Sequence, residues 1–228
     1  DVATPEIPDK PIDFERVKAI WVWDTADVLS SKKKTRELLD FCTNKGINLL
    51  YINIDQGVLK SDPKGVKALI AAANTLNIKT EALDGNMYWV LEENHHLALA
   101  SISSVINFNK RAKANERFLG IHHDNEPYTV PGFWDDTQSF GEQYLDLAVK
   151  SKELIEESGS NMTFAVDIPF WYDEHPVTVA YNGNEKPLSF HIIDITDYVA
   201  VMDYRDFAEG SNGIIGHGLQ EIEYAKSL

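Results

Sequence analysis

A repeated pattern constrains this chain more than any other feature. Short, uninterrupted apolar runs, each closed by an acidic residue, alternate with longer stretches of helical periodicity. Lys18–Trp23 ends at Asp24, Ile47–Ile54 at Asp55, and Ile78–Leu83 at Asp84. Phe118–Ile121 leads into His122, His123, Asp124, Asn125 and Glu126; Met162–Val166 ends at Asp167, and Tyr198–Met202 at Asp203. The stretches between them predict helices over 31–45, 63–73, 91–113, 137–157 and 218–228. Gly46 and Gly159 stand where helices stop, and Asp62-Pro63 supplies a cap followed by a first-turn proline. Continuous apolar strands separated by amphipathic helices imply a parallel sheet covered by helices.

Two α/β architectures meet that description, the doubly wound sheet and the (β/α)₈ TIM barrel. The doubly wound sheet usually carries a glycine-rich phosphate loop after its first strand, and neither G-x-G-x-x-G nor G-x-x-x-x-G-K-[ST] occurs here. The strand ends carry acids and aromatics instead. A barrel builds its site there, from several strands at once, so the barrel is the expected fold. Six β/α units are visible where a barrel needs eight. We therefore read residues 13–228 as a barrel domain lacking its last two units, to be completed by a missing C-terminal segment or a second chain. An open six-stranded sheet would leave unpaired edges. The proline-rich residues 1–12 read as an arm or linker. Between the fifth and sixth strands, the runs Val177–Tyr181 and Leu188–Ile192 flank Asn182-Gly183, which predicts a β-hairpin on the rim of the site face. Gly213, Gly216 and Gly218 read as a flexible loop before the last helix.

Charge narrows the function. The formal net charge of −15 over 228 residues argues against non-specific nucleic-acid binding and against an anionic membrane surface. No apolar run is long enough to span a membrane. The single cysteine, Cys42, lies in a helical pattern and reads as a small buried hydrophobe. The start at Asp1 suggests a mature or trimmed chain.

Among the strand-end acids, Glu126 is the leading candidate for chemistry. A carboxyl at a strand end beside other carboxyls is pushed toward a raised pKa, which suits a general acid at neutral pH. Asp124 and Glu126 are two apart, so on one strand they would share a face and could share a proton. Phe118-Leu-Gly-Ile-His-His-Asp-Asn-Glu-Pro127 resembles the fourth strand of TIM-barrel glycoside hydrolases in two ways. Asn125-Glu126-Pro127 is similar to the Asn-Glu-Pro of the large retaining clan, the cellulase- and β-galactosidase-like enzymes. That resemblance implies Glu126 as acid/base, with a nucleophilic Glu at the end of a seventh strand. A two-carboxylate retaining site needs its acids about 5–5.5 Å apart. Gly120-Ile-His-His-Asp124-Asn-Glu126 also resembles the DGxDxDxE strand of chitinase-type enzymes, and Met202-Asp203-Tyr204-Arg205 their Met-x-Tyr-Asp. That resemblance implies a substrate N-acetyl group as nucleophile, Asp124 to orient it and Glu126 to protonate the leaving oxygen. This chain departs from the pattern at Leu119, His122 and Arg205, each of which stands where those enzymes have Asp.

The aromatics Trp23, Tyr88, Trp89, Trp134, Trp171, Tyr172 and Tyr204 fall at or just past strand ends, where flat rings can stack on sugar faces. Trp21 reads as core. The expected site thus has Glu126, Asp124 and Tyr204 in catalytic roles. Trp23, Asp24, Asp84, Asn125, Asp167, Trp171, Asp203 and Arg205 are expected to line the sugar. The expected ligand is an oligo- or polysaccharide, no cofactor is required, and a secreted or cell-surface bacterial protein would fit. Two alternatives stay open. Carboxylates together with His122 or His123 could hold a divalent metal in a metal-dependent TIM-barrel hydrolase. Adjacent histidines in a strand face opposite ways, so at most one of these could join. His95-His96 reads as a solvated helix face. The other alternative is a non-catalytic glycan-binding or interaction domain.

Overall fold

The computed structural model describes residues 16–55, 57–174 and 176–228; the arm read at 1–12 lies outside them. In chain order the elements are β1 (Ala19–Val22), α1 (Thr25–Leu29), α2 (Lys32–Lys45), β2 (Leu49–Asn53), α3 (Val58–Ser61), α4 (Pro63–Thr75), β3 (Lys79–Asp84), α5 (His95–Lys110) and β4 (Gly120–His123). They continue with α6 (Thr137–Glu157), β5 (Thr163–Pro169), β6 (Thr178–Tyr181), β7 (Asn184–Pro187), α7 (Leu188–Ile195), β8 (Tyr198–Met202), α8 (Ile214–His217) and α9 (Leu219–Ser227). The main sheet has the strand order β1-β2-β3-β4-β5-β8, and β6 and β7 form a separate antiparallel ribbon. Neighbouring main-sheet strands that follow one another through helices are the signature of repeated right-handed β/α units. Each of the six apolar runs became one of these strands.

The chain forms two compact units. The first ends at Asp84 and resumes over Ser104–Ile121; the second comprises Gly85–Ser103 and His122–Leu228. In the first, β1, β2 and β3 pair in parallel, with Trp21 opposite Tyr51 and Tyr51 opposite Glu81. Every residue of β2 is buried, as its unbroken apolar run requires. Asp62 caps α4 by accepting from the Gly65 amide at 2.9 Å, and Pro63 occupies the first turn. Gly46 ends α2 in the left-handed region at φ 67°. Cys42 is fully buried, and burial raises its thiol pKa. Helix α1 was not anticipated: Asp24 caps it, accepting from the Asp27 amide at 2.9 Å. Trp21, expected in the core, is 38% exposed and tilts against Tyr51. Strand β1 ends the sheet, and its alternation buries Val22 and turns Trp21 outward.

In the second unit, β5 and β8 pair in parallel, placing Ala165 opposite Tyr198 and Asp167 opposite Ala200. The hairpin forms with Asn182 and Gly183 both at positive φ, as a type I′ turn demands. Its second strand is Asn184–Pro187, whereas Leu188–Ile192, read as a strand, is the start of helix α7. The hairpin lies along α6. Gln138 exchanges two hydrogen bonds with Ala180, and the Tyr181 hydroxyl donates to Asp146. Of the glycines read as a flexible loop, Gly213 and Gly218 instead flank helix α8 and Gly216 lies inside it. A side chain on Gly213 or Gly216 would meet a backbone carbonyl at 2.5 or 2.6 Å. His95 is buried rather than solvated. Its Nε2 bonds to the Val90 carbonyl, its Nδ1 faces the Lys150 ammonium, and His96 is exposed.

Candidate functional site

Strand β4 ends at His123, so Asp124, Asn125 and Glu126 leave the sheet instead of continuing its alternation. That break frees the three side chains from the strict alternation of the strand. Asn125 is buried and its side-chain oxygen accepts from the Asn86 amide at 3.0 Å. Gly85 lies so close to this turn that a Cβ there would sit 2.1 Å from the Asp124 carbonyl oxygen. Only glycine permits that approach, and it brings the loop after β3 against the turn after β4. Glu126 begins a short 3₁₀ turn over Pro127–Thr129. Its carbonyl accepts from the Thr129 amide and hydroxyl, and the Tyr128 hydroxyl donates to Oε1 of its carboxyl.

Within β4 the two histidines do face opposite ways. His122 Nε2 lies 3.0 Å from Oδ2 of Asp167 on β5, and both side chains are buried. The Tyr198 hydroxyl on β8 lies 3.4 Å from the other ring nitrogen. His123 packs edge-on between Trp89 and Phe164, and neither of its ring nitrogens has a hydrogen-bond partner. Burial, helped by the neighbouring His122, pushes its pKa down to about 3, so the ring is neutral.

Asp124 is the electrostatic centre of the cluster. Burial pushes its carboxyl up to about 7; the nearby charges of Asp167 and Glu126 push the same way, and His122 opposes them. Like charges in a poorly solvated site cannot all ionise, so near neutrality Asp124 holds a proton for about half the time. Tyr144 on α6 is fully buried, and its phenol is raised by burial and by Asp167 and Asp124. Tyr204, beyond β8, is 85% exposed, and its pKa is raised by partial burial and by the charges of Asp124, Asp167 and Glu126.

An aromatic wall continues from Glu126. Tyr128 meets Trp171 edge-on at 5.1 Å between ring centroids, and Trp171 lies 5.3 Å from the exposed Trp134. Tyr172, read as a possible sugar platform, is buried beneath them. Asp203 is held by His217 at 3.0 Å, His217 stacks on Phe170, and the Arg205 guanidinium lies over the Phe170 ring, 5.1 Å from its centroid.

The second unit thus gathers Asp124, Asn125, Glu126, Asp167, Trp171, Tyr204, Asp203 and Arg205. Trp23, Asp24 and Asp84 belong to the first unit, where Trp23 is exposed, Asp24 caps α1 and Asp84 is buried at the end of β3. Sequence reasoning missed Gly85, Tyr128, Tyr144 and Tyr198. Tyr128 had a local signal, two residues beyond Glu126 across a proline; Tyr144 and Tyr198 reach the cluster only through packing of α6 and β8. Among the described residues, no group of three or more His, Cys, Asp or Glu side chains is arranged to hold a metal ion.

No protein-family model matches this chain, and no curated protein does. Solved structures do. A chitinase from Chromobacterium violaceum matches with a TM-score of 0.54 at 14% identity, over 92% of this chain and 64% of its own. A GH18 chitinase from Cycas revoluta, in complex with (GlcNAc)3, matches at 0.53 and 15% identity, over 92% and 65%. The C-terminal domain of a putative chitinase from Desulfitobacterium hafniense matches at 0.60 and 12% identity, over 93% and 62%. This chain therefore spans a little under two thirds of the length of the structures it resembles. The likeness establishes the fold: six parallel strands of the (β/α)₈ barrel used by these glycoside hydrolases.

Proposed function

We propose that this chain carries the acid/base half of a glycoside hydrolase site, acting on an N-acetylated glycan by substrate assistance. The observation that carries this reading is the cluster at the end of β4. Glu126 stands two residues from Asp124, whose carboxyl is held near 7 by burial and by the charges of Asp167 and Glu126. A carboxyl raised toward neutrality beside a second carboxyl suits a site in which one group gives a proton and the other takes up developing charge. Glu126 donates to the glycosidic oxygen as the bond to the anomeric carbon breaks. The acetamide carbonyl oxygen of the same sugar attacks that carbon. Asp124 accepts from the acetamide N–H and stabilises the positive charge that forms. Tyr204 donates a hydrogen bond beside the reacting carbon, and Trp171 stacks on the sugar. Water then opens the intermediate with Glu126 as base, which restores its proton. The ligand in the Cycas revoluta structure, (GlcNAc)3, belongs to this substrate class. A non-catalytic glycan-binding role would use the same aromatic wall.

The test is Glu126→Gln in the full-length protein, assayed on N-acetylchitooligosaccharides and N-acetylated glycopeptides. Loss of general acid catalysis should cost about 10²–10⁴ in kcat, with binding measured by calorimetry unchanged. Unaltered turnover would exclude Glu126 as the acid. Binding without turnover in both proteins would favour the non-catalytic role.

A further inference from the structure

A glutamate side chain is long and its last torsion is broad, so placing its backbone at the end of β4 does not aim its carboxyl. A general acid has to be aimed, because its proton must lie within hydrogen-bond reach of the oxygen that takes it. The turn after β4 supplies the means. Pro127 opens a 3₁₀ turn, and the Thr129 amide and hydroxyl close it on the Glu126 carbonyl at 3.0 and 2.6 Å. Tyr128 stands between them, and its hydroxyl reaches back to donate to Oε1 of Glu126. The phenol is itself held. Its ring meets Trp171 edge-on at 5.1 Å and the buried Tyr172 edge-on at 6.2 Å, both from the short turn over Phe170–Asp173 after β5. Burial raises the Tyr128 pKa, and the bond to Glu126 and the charges of Glu126, Asp124 and Tyr204 add to the push. The hydroxyl therefore keeps its proton and stays a donor.

Resting on the functional reading above, we propose that Tyr128 is the positioning residue of the acid: its hydroxyl holds Oε1 of Glu126, so that Oε2 carries the proton to the glycosidic oxygen. In a protonated carboxyl one oxygen is a donor and the other is free to accept. The phenol occupies the accepting oxygen, which leaves the proton on the other. A hydroxyl bonds more strongly to a carboxylate than to the neutral acid. The same bond therefore favours release of the proton, and it still fixes Glu126 when that residue turns to act as base toward water. The groups facing Glu126 are Asp124 and Tyr128 in its own turn, Tyr172 after β5 and Tyr204 beyond β8. The three phenols are all raised and stay neutral across the working range. Asp124 is the member that titrates alongside Glu126, so the limb of a pH profile belongs to the two carboxyls together.

Tyr128→Phe removes the hydroxyl and keeps the ring, so it tests the bond without emptying the slot. In the full-length protein, kcat on N-acetylchitooligosaccharides should fall about 10- to 100-fold with KM little changed. The alkaline limb of the kcat profile should move up by about one pH unit, because the ionised carboxyl has lost its donor. A dinitrophenyl N-acetylglucosaminide, whose leaving group departs without a proton, should lose less. A variant that merely loosened packing would slow both substrates alike and leave the limb in place. A readout independent of turnover is titration by NMR of full-length protein labelled with ¹³C at glutamate carboxyls, the Glu126 signal being the one lost in Glu126→Gln. Its midpoint should rise in Tyr128→Phe. Equal losses on the two substrates, a fixed limb or an unmoved midpoint each overturns the proposal. The two readings fail separately. If the midpoint rises but the parent protein cleaves no N-acetylated glycan, the pairing of hydroxyl and carboxyl stands and the functional reading falls. If glycan is cleaved while Tyr128→Phe moves neither limb nor midpoint, the functional reading stands and the positioning role falls.

Discussion

A buried imidazole whose two nitrogens lack partners costs stability, because each nitrogen has lost its water and gained nothing. His123 is such a residue, packed between Trp89 and Phe164. We expect His123→Phe, which keeps an aromatic ring in the same slot, to stabilise the protein at pH 7 by about 1 kcal/mol and to leave kcat unchanged. Urea unfolding and the glycan assay measure both. A loss of activity would place His123 in the chemistry after all. The contrast with His122 shows what was legible at this scale. The sequence places both histidines beside the acids and shows that only one can join them. Which one joins depends on the register of β4 in its sheet, and no local residue encodes that register. Glu126 and Asp124 were legible because a strand end with clustered acids is a local pattern. Tyr144 was not, because its hydroxyl reaches the cluster from α6, about twenty residues further along the chain.

Elements that carry their own boundary chemistry were read correctly. Helix α4 begins where Asp62-Pro63 dictates, and α6 spans the expected 137–157. The hairpin's turn was legible from Asn182-Gly183, but its second strand was assigned too late. Asn184–Pro187 is polar on both faces, so it shows no alternation, and the apolar Leu188–Ile192 drew the assignment although Pro187 starts a helix there. What holds the hairpin is a close approach. Gly141 on α6 meets fully buried Val179 so tightly that a Cβ would lie 2.5 Å from its Cγ2. Alanine normally favours a helix over glycine by about 1 kcal/mol. Here we expect the reverse. Gly141→Ala should destabilise by about 1–3 kcal/mol through overpacking and speed hydrogen exchange in β6 and β7. Adding Val179→Ala should recover part of the loss in the helix. If Gly141→Ala alone proved stabilising, the close packing of hairpin on helix would be wrong.

At the scale of the whole chain, buried titratable groups of both kinds set the pH dependence of stability, and their signs oppose. Two acids are raised to about 7 by burial: Asp124, and Glu221, which is buried on α9 with Asp173 adding to the push and Ser189 opposing it. A raised pKa means the folded state binds the proton more tightly. Its stabilisation is fully present below the ordinary carboxylate value and is lost as pH rises toward 7. Three histidines are lowered, first by burial: His123 to about 3, and His95 and His191, each bonded to a backbone carbonyl. Their contribution is present above about 6.5 and is lost on acidification. Between pH 5 and 6.5 each fully shifted group changes stability by up to about 1.4 kcal/mol per pH unit, so acids and histidines act in opposite directions there. Single substitutions should unmask the two halves. In Glu221→Gln one acid no longer compensates, and unfolding free energy should fall more steeply from pH 6.5 to 5 than in the parent. In His123→Phe an opposing histidine is gone, and the same acidification should become neutral or stabilising. Urea unfolding at both pH values decides the matter: slopes that moved in the same direction in the two variants would mean that burial does not set these proton affinities.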